Sequence, residues 1–150
     1  MEDSGPSDSR TRFAPTNVLA DAASAAQMRQ AFAGWLKRHF ALDATKVSDV
    51  VLAVNEALAN AAEFAYTTAP QPGAMNLLAD YDSRTAVLSV TVTDEGAWRI
   101  ADSERKSISR GRGIPLMRAL ADRATIDSTP AGTRVCLEWN HVAAAQNAVT

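Results

Sequence analysis

Three clusters in this chain hold residue types and spacings that could do chemistry. The first is Arg110-Gly111-Arg112-Gly113, which runs straight into an apolar segment with Pro115 placed as a first-turn proline. A glycine-rich lead-in to a helix N-terminus offers free backbone N–H groups and the positive end of the helix dipole. The arginines add charge, so the stretch reads as an anion site suited to phosphate. Glycines at this spacing also simply permit tight turns, so Gly-x-Gly alone decides little. The second cluster is Asp94-Glu95-Gly96. Asp94 follows a run in which Leu88, Val90 and Val92 share one face, and it has their parity. If strand geometry persists to the end, a carboxylate points at the core and needs hydrogen-bond partners. If the strand bends at this point, Asp94 merely caps a turn. The third cluster is Glu56 and Asn60, four residues apart and therefore neighbours on one helix face. Ala53 and Ala57 run beside Asn60 and leave room for an approaching group. Taken alone, this is the ordinary solvated face of an amphipathic helix.

Each cluster needs an element to hold it. Val47, Val50, Val51, Val54, Leu58, Ala61 and Ala65 recur at about 100° per residue and predict a helix over 47–66, with Asp49 and Glu63 on its wet side. An earlier helix, capped by Asp21 and ending near His39, is apolar at Met28, Phe32, Trp35 and Leu36. Arg29, Lys37 and Arg38 lie off that stripe. The connection 41–46 is short, so the two helices should pack against each other. Pro70, Pro72 and Gly73 break the chain. Strands over 74–81 and 86–93 follow, joined by a hairpin turn at 82–85. The polar stretch 98–112 has no apolar periodicity, and a connection of that length is often a lid or binding loop. Leu116, Met117, Leu120 and Ala121 then give a short helix its apolar face, with Arg123 near its end. Short strands at 124–128 and 133–139 close the chain, with Thr133 sharing the parity of Val135, Leu137 and Trp139. Phe13 to Leu19 reads as a short edge strand or an extended lead-in. Residues 1–12 have a disordered composition, and the chain from 140 to 150 reads as a mobile tail. The folded domain is expected over 13–139.

Composition excludes several classes. The chain of 150 residues is 47% hydrophobic and 21% charged, with a formal net charge of −2. That suits one globular domain and implies no general attraction to nucleic acid. No run approaches the roughly 18 apolar residues of a membrane span. The N-terminus, with Glu2, Asp3 and Asp8, lacks the pattern of a secretory signal. Cys136 is the single cysteine, so an internal disulfide and a thiolate zinc cluster are excluded, and a cytoplasmic location fits. His39 and His141 are too far apart in sequence to suggest a metal site.

The element order departs from alternating βαβ units, so a dinucleotide-binding fold is not expected. Four segments together resemble the ATP-binding domain of the GHKL superfamily, which includes gyrase, histidine kinases and mismatch-repair ATPases. Asn55-Glu56-Ala57-Leu58-Ala59-Asn60-Ala61 resembles its N box, and Asp94-Glu95-Gly96 its adenine box. Gly111-Arg112-Gly113-Ile114-Pro115-Leu116-Met117 resembles its glycine-rich lid end, and Gly132-Thr133 its last nucleotide-binding dipeptide. Within the superfamily the chain is similar to the small anti-sigma-factor serine kinases of the RsbW/SpoIIAB type, over roughly 13–139. Each box alone is weak; all of them in the right order and spacing are specific.

The resemblance implies an α+β fold: a two-layer sandwich with a mixed, mostly antiparallel sheet covered on one face by about three helices. It implies that Asn60 helps hold Mg2+ on the phosphates of ATP, that Asp94 receives the adenine amino group, and that Thr133 sits near the same base. Gly96 belongs to the adenine box. Gly111 and Gly113 would present N–H groups to the phosphates, with Arg110 or Arg112 adding charge. Glu56 would be the general base toward a serine or threonine hydroxyl of a protein substrate. That substrate would be an anti-anti-sigma factor with a STAS domain, and the other partner an RNA polymerase sigma factor. A homodimer is expected, with no direct contact to nucleic acid or membrane, and Arg29 matches a position used in partner contacts. Two alternatives stand beside this. One is an ATP-binding module that sequesters a regulator with little phosphotransfer. The other, an orphan histidine-kinase domain, lacks a dimerisation helix bearing a phospho-acceptor histidine.

Overall fold

Strict alternation along four segments builds the sheet. The computed structural model describes residues 10–64, 73–95 and 113–145. They form β1 (Arg10–Phe13), β2 (Val18–Leu19), α1 (Ala22–His39), α2 (Ala44–Phe64), β3 (Ala74–Asp82), β4 (Val87–Asp94), α3 (Gly113–Leu120), β5 (Arg123–Thr129) and β6 (Gly132–Trp139). The six strands make one sheet in the order β1-β3-β4-β6-β5, with β2 also paired to β3. Every pairing is antiparallel. In β3, Met75, Leu77, Ala79 and Tyr81 are buried; in β4, Leu88, Val90 and Val92; in β6, Val135, Leu137 and Trp139. These rows share one face, which the three helices cover. The opposite face carries half-exposed polar residues such as Ser89, Thr93 and Glu138, as one-sided antiparallel sheets do.

The helices are held by their own local chemistry. Asp21 caps α1, its carboxylate accepting from the Ser24 backbone N–H at 2.8 Å. That bond holds the Asp21 carboxyl below the usual carboxylate range. α1 buries Met28, Phe32, Trp35 and Leu36, as its spacing predicts. α2 packs against α1, α3 and the sheet, so it is central to the helical layer.

Residues 10–12 and 140–145 take part in more structure than their composition suggests. β1 begins at Arg10, inside the segment expected to be disordered. Phe13 anchors it, its ring centroid 5.7 Å from that of Trp35. Arg10 and Arg12 pair with Asp80 and Asp82 on β3. After β6, residues 140–145 form a strap rather than a loose tail. The Ala41 N–H donates to Ala143 O at 2.8 Å and the Ala145 N–H to His39 O at 2.8 Å. The Tyr81 hydroxyl donates to Val142 O at 2.6 Å, and burial pushes the Tyr81 pKa up. Val142 itself is buried. Small side chains at 143–145 gave no apolar signal, because backbone bonds hold the strap.

The β3–β4 hairpin carries a local strain. Asp82 Oδ1 accepts from the Arg84 N–H at 2.9 Å, turning the chain, and Ala86 closes the turn at φ +59°. A side chain there meets the steric penalty of the left-handed region. Ala86→Gly is therefore expected to stabilise the fold by about 0.5–1 kcal/mol, after the larger entropy of the unfolded glycine chain is counted. Thermal unfolding checks this; a fall in Tm would show that the Ala86 methyl contributes packing that outweighs the strain.

Candidate functional site

Among the described residues, three polar side chains are classed as buried: Asn60 at 0% exposure, Asp94 at 6% and Thr133 at 3%. All three had been singled out from the sequence. Burying a polar group is costly without a compensating partner, so each of the three must be satisfied within the fold or by a ligand.

Strand parity and register position two of them. Asp94 ends β4 with the orientation of Leu88, Val90 and Val92, so the inward alternative for its carboxylate holds. Thr133 lies directly opposite it on β6. The carboxylate and the hydroxyl thus sit side by side on the helix-covered face. Ser128 on β5 extends the row, its Oγ 3.4 Å from Thr133 Oγ1. Sequence reading missed Ser128: the predicted strand gives it the parity of Ala124 and Ile126, but its place beside Thr133 is seen only in the β5–β6 register.

Gly132 precedes Thr133, and a Cβ there would collide with the Asp94 carbonyl oxygen and crowd Glu95 Cα at 3.2 Å. Both obstacles are backbone and cannot swing aside. Gly132→Ala is expected to spread β4 from β6 at this end and to displace Asp94 from Thr133. The expected loss is about 1–3 kcal/mol of stability. Urea unfolding measures it; an unchanged midpoint would mean the two strand ends shift apart freely.

α2 places the third. The helical wheel set Asn60 on a polar side opposite the apolar stripe. In the structure α2 has a wider buried face that takes in Ala53, Ala57, Asn60 and Ala61 as well as Val50, Val54 and Leu58. The reason is that α3 packs on α2 as well, with Ile114 and Met117 fully buried. The alanines thus serve close packing. The Asn60 Nδ2 is buried with no hydrogen-bond partner in the structure, although the residue has other interactions. Glu56, one turn earlier, is half-buried and Glu63 exposed. Gly113 opens α3, whose N-terminus follows the glycine-rich stretch. Gly96, Arg110, Gly111 and Arg112 lie outside the described residues.

Arg29 is apart from this trio. It lines a groove of about 830 Å³ between α1 and α2, with Ala25, Leu52, Asn55 and Glu63. An adjoining groove of about 600 Å³ shares Arg29, Ser48 and Val51. Leu52 is 41% exposed, so this outer surface is apolar with charge at its rim.

Among the described residues no group of three His, Cys, Asp or Glu side chains could hold a metal by itself. The Asn60 amide oxygen is the side-chain group on this face of α2 that could contribute one ligand to a cation held mainly by phosphate oxygens and water.

The comparisons with known proteins follow the same lines. A family model described as "Histidine kinase-like ATPase domain" matches residues 18–139. Among solved structures, the crystal structure of the RsbU and RsbW domains of Rv1364c from Mycobacterium tuberculosis is similar, with a TM-score of 0.67 and 22% sequence identity. The match covers 93% of this chain and 35% of that one, so the chain spans about a third of that protein's length. At this identity the likeness is one of fold. The search of curated proteins returned no match.

Proposed function

Since the chain belongs to the histidine kinase-like ATPase domain family, we propose that it is a Mg-ATP-dependent protein serine/threonine kinase that also acts as an anti-sigma factor. Its substrate in this reading is a STAS-type anti-anti-sigma factor, and the RsbW domain named in the structural neighbour supports the assignment. The observation that carries the reading is the buried pair of Asp94 and Thr133, facing each other across β4 and β6 beneath the helical layer.

Asp94, an acceptor when ionised, takes the 6-amino group of adenine. Thr133 completes the contact to the same base, and Gly96 is assigned to the same adenine box. Gly111 and Gly113 offer N–H groups to the phosphates at the α3 N-terminus, and Arg110 and Arg112 neutralise charge. Asn60 would hold Mg2+, which when bound would supply neutralising charge to the phosphates. Glu56 takes the proton from the substrate hydroxyl. The hydroxyl oxygen bonds to the γ-phosphorus while the bond from that phosphorus to the bridging oxygen breaks, and ADP leaves. The catalytic demand on the protein is chiefly positioning and charge stabilisation, which suits a site assembled from strand ends and helix termini.

Partner switching then has a physical form: the kinase holds a sigma factor, and the unphosphorylated antagonist displaces it. Arg29, at the rim of the α1–α2 groove, is our candidate partner contact, and the working unit is a homodimer in the cytoplasm. No described helix is long and apolar enough to cross a membrane.

Incubation with labelled ATP, Mg2+ and candidate STAS proteins tests the reading. Label on a serine or threonine of the STAS protein is the expected result. ATP binding without phosphotransfer to any partner would leave a sequestering module instead. Acid-labile phosphohistidine on a partner would point to the histidine-kinase reading.

A further inference from the structure

The sheet face that the helices leave uncovered has a pattern of its own. Its middle strand, β4, presents Val87, Ser89, Thr91 and Thr93 there, all half-buried and none charged. In register with Thr91 stand Leu78 on β3 and Cys136 on β6, with Thr125 on β5 beyond them. Leu78 is 41% exposed, a large apolar side chain in an uncharged row. Two residues to one side of that row, register lines up Asp80, Ser89, Glu138 and Arg123. Two residues to the other side it lines up Asn76, Thr93, Arg134 and Asp127. Charge is used differently on the two flanks. Arg10 and Arg12 on β1 are taken up by ion pairs with Asp80 and Asp82. Among the described residues, Arg123, Asp127, Arg134 and Glu138 form no ion pair, although β5 and β6 set them opposite one another.

We infer that this open face is where two copies of the chain meet, related by a two-fold axis that crosses the strands along the row Leu78, Thr91, Cys136 and Thr125. The inference rests on the homodimer reading above and names its surface. Two sheets packed face to face lie about 10 Å apart, with strand directions within roughly 30°. A two-fold interface is isologous, so the face must complement itself. An axis along the Thr91 row stacks each strand on its own copy, running the opposite way, and so exchanges the two charged rows. Glu138 then faces Arg134 of the second copy, and Arg123 faces Asp127. Asp80, already paired to its own arginines, faces the neutral Asn76, and Ser89 faces Thr93. Every charge of β5 and β6 in these rows meets its opposite. An axis run along β4 instead would stack Asp80 on Glu138 and Arg12 on Arg123, like on like.

The arrangement also has the anatomy of a protein interface, with charge depleted in the middle and placed toward the margin. Its size suits a modest dimer. The sheet is five strands wide along its main path. At about 4.8 Å per strand and about 3.4 Å per residue, the face measures roughly 24 Å by 24 Å, about 600 Å² per copy. That is below the roughly 800 Å² per partner of a standard interface, so the marginal ion pairs decide whether the copies associate. Joining the copies here leaves both helical layers, with the α1–α2 groove, on the outside of the dimer.

Sedimentation equilibrium over a concentration series tests this on the full chain and on Arg134→Glu, Glu138→Arg, the double variant and Leu78→Asp. Arg134 and Leu78 are exposed and Glu138 half-buried, so the core is left alone, and circular dichroism establishes that each variant is folded. Wild type should be a reversible dimer. Either single charge change sets like charges face to face between the copies and should weaken the dimer at least about 10-fold. Leu78→Asp brings two carboxylates together on the axis and should do the same. The double variant restores opposite charges between the copies and should return Kd to within about 3-fold of wild type. Within one chain it keeps a carboxylate beside Asp127 and a guanidinium beside Arg123, so rescue can come only from pairs between copies. A wild-type dimer that the single changes leave equally tight, or that the double variant fails to restore, overturns the surface and leaves the homodimer standing. A wild type that is monomeric across the series overturns the homodimer reading itself, and the surface with it.

Discussion

Glu56→Gln is expected to bind ATP as wild type does and to transfer phosphate about 10²- to 10⁴-fold more slowly. The substitution keeps size and shape and removes only the ability to accept a proton. Glutamine is as good a helix former as glutamate, so α2 should not move. Glu56 is half-buried one turn before the buried Asn60, so it has access both to that layer and to a protein substrate arriving from outside. The nucleotide groups assigned to adenine and metal lie elsewhere in the row and on the helix, which is why affinity should survive. Calorimetry for ATP and a labelled-phosphate assay on a STAS protein, run on one preparation, check both halves. Retained phosphotransfer would place the base at another residue. Lost ATP binding would show that Glu56 touches the nucleotide directly.

Period and parity made most of the fold legible. α1 and α2 are amphipathic at helical spacing, and β3, β4 and β6 alternate, so these elements followed from residue types, while their assembly into an α+β sandwich came from the resemblance of the motifs. The ends were less so. β1 begins at Arg10 among polar residues because Phe13 docks on Trp35 and its arginines meet Asp80 and Asp82, contacts with partners remote in sequence. The strap at 140–145 is held by backbone hydrogen bonds to the α1–α2 connection, which no side-chain pattern encodes.

The site divides the same way. Asp94 could be read because a single period-2 rule carries from Leu88 to the strand end, and the register with Thr133 followed that rule in space. Asn60 was harder. A wheel drawn for one buried stripe places it outside, whereas α2 is contacted by two helices and a sheet and so buries a wider arc. Ser128 had a readable parity on its strand, but its place beside Thr133 is defined by the β5–β6 pairing and not by chain spacing. The glycine-rich stretch stands on sequence alone, apart from the start of α3 at Gly113.

Asn60→Ala should separate binding from chemistry in the opposite sense to Glu56→Gln. In Mg2+ its affinity for ATP is expected to fall by at least about 100-fold, equivalent to about 2.7 kcal/mol. The side chain is fully buried on α2, and its amide is the protein oxygen assigned to the cation. Alanine is a strong helix former, so the helix should persist, and the variant's unfolding without nucleotide measures how far the fold is kept. Saturating ATP stabilises a binder by mass action, about 2.7 kcal/mol at 100 times Kd, and this increment should nearly vanish in the variant. EDTA supplies the deciding comparison. If Asn60 acts through the metal, wild type and variant bind ATP equally weakly once Mg2+ is chelated. An equal loss with and without Mg2+ would mean that the amide shapes the pocket or meets the nucleotide itself. Unchanged affinity in Mg2+ would remove Asn60 from the site altogether. A chain that loses ATP at Asn60 and loses only phosphotransfer at Glu56 uses one face of α2 for two separable tasks, and a pure sequestering module would show the first effect without the second.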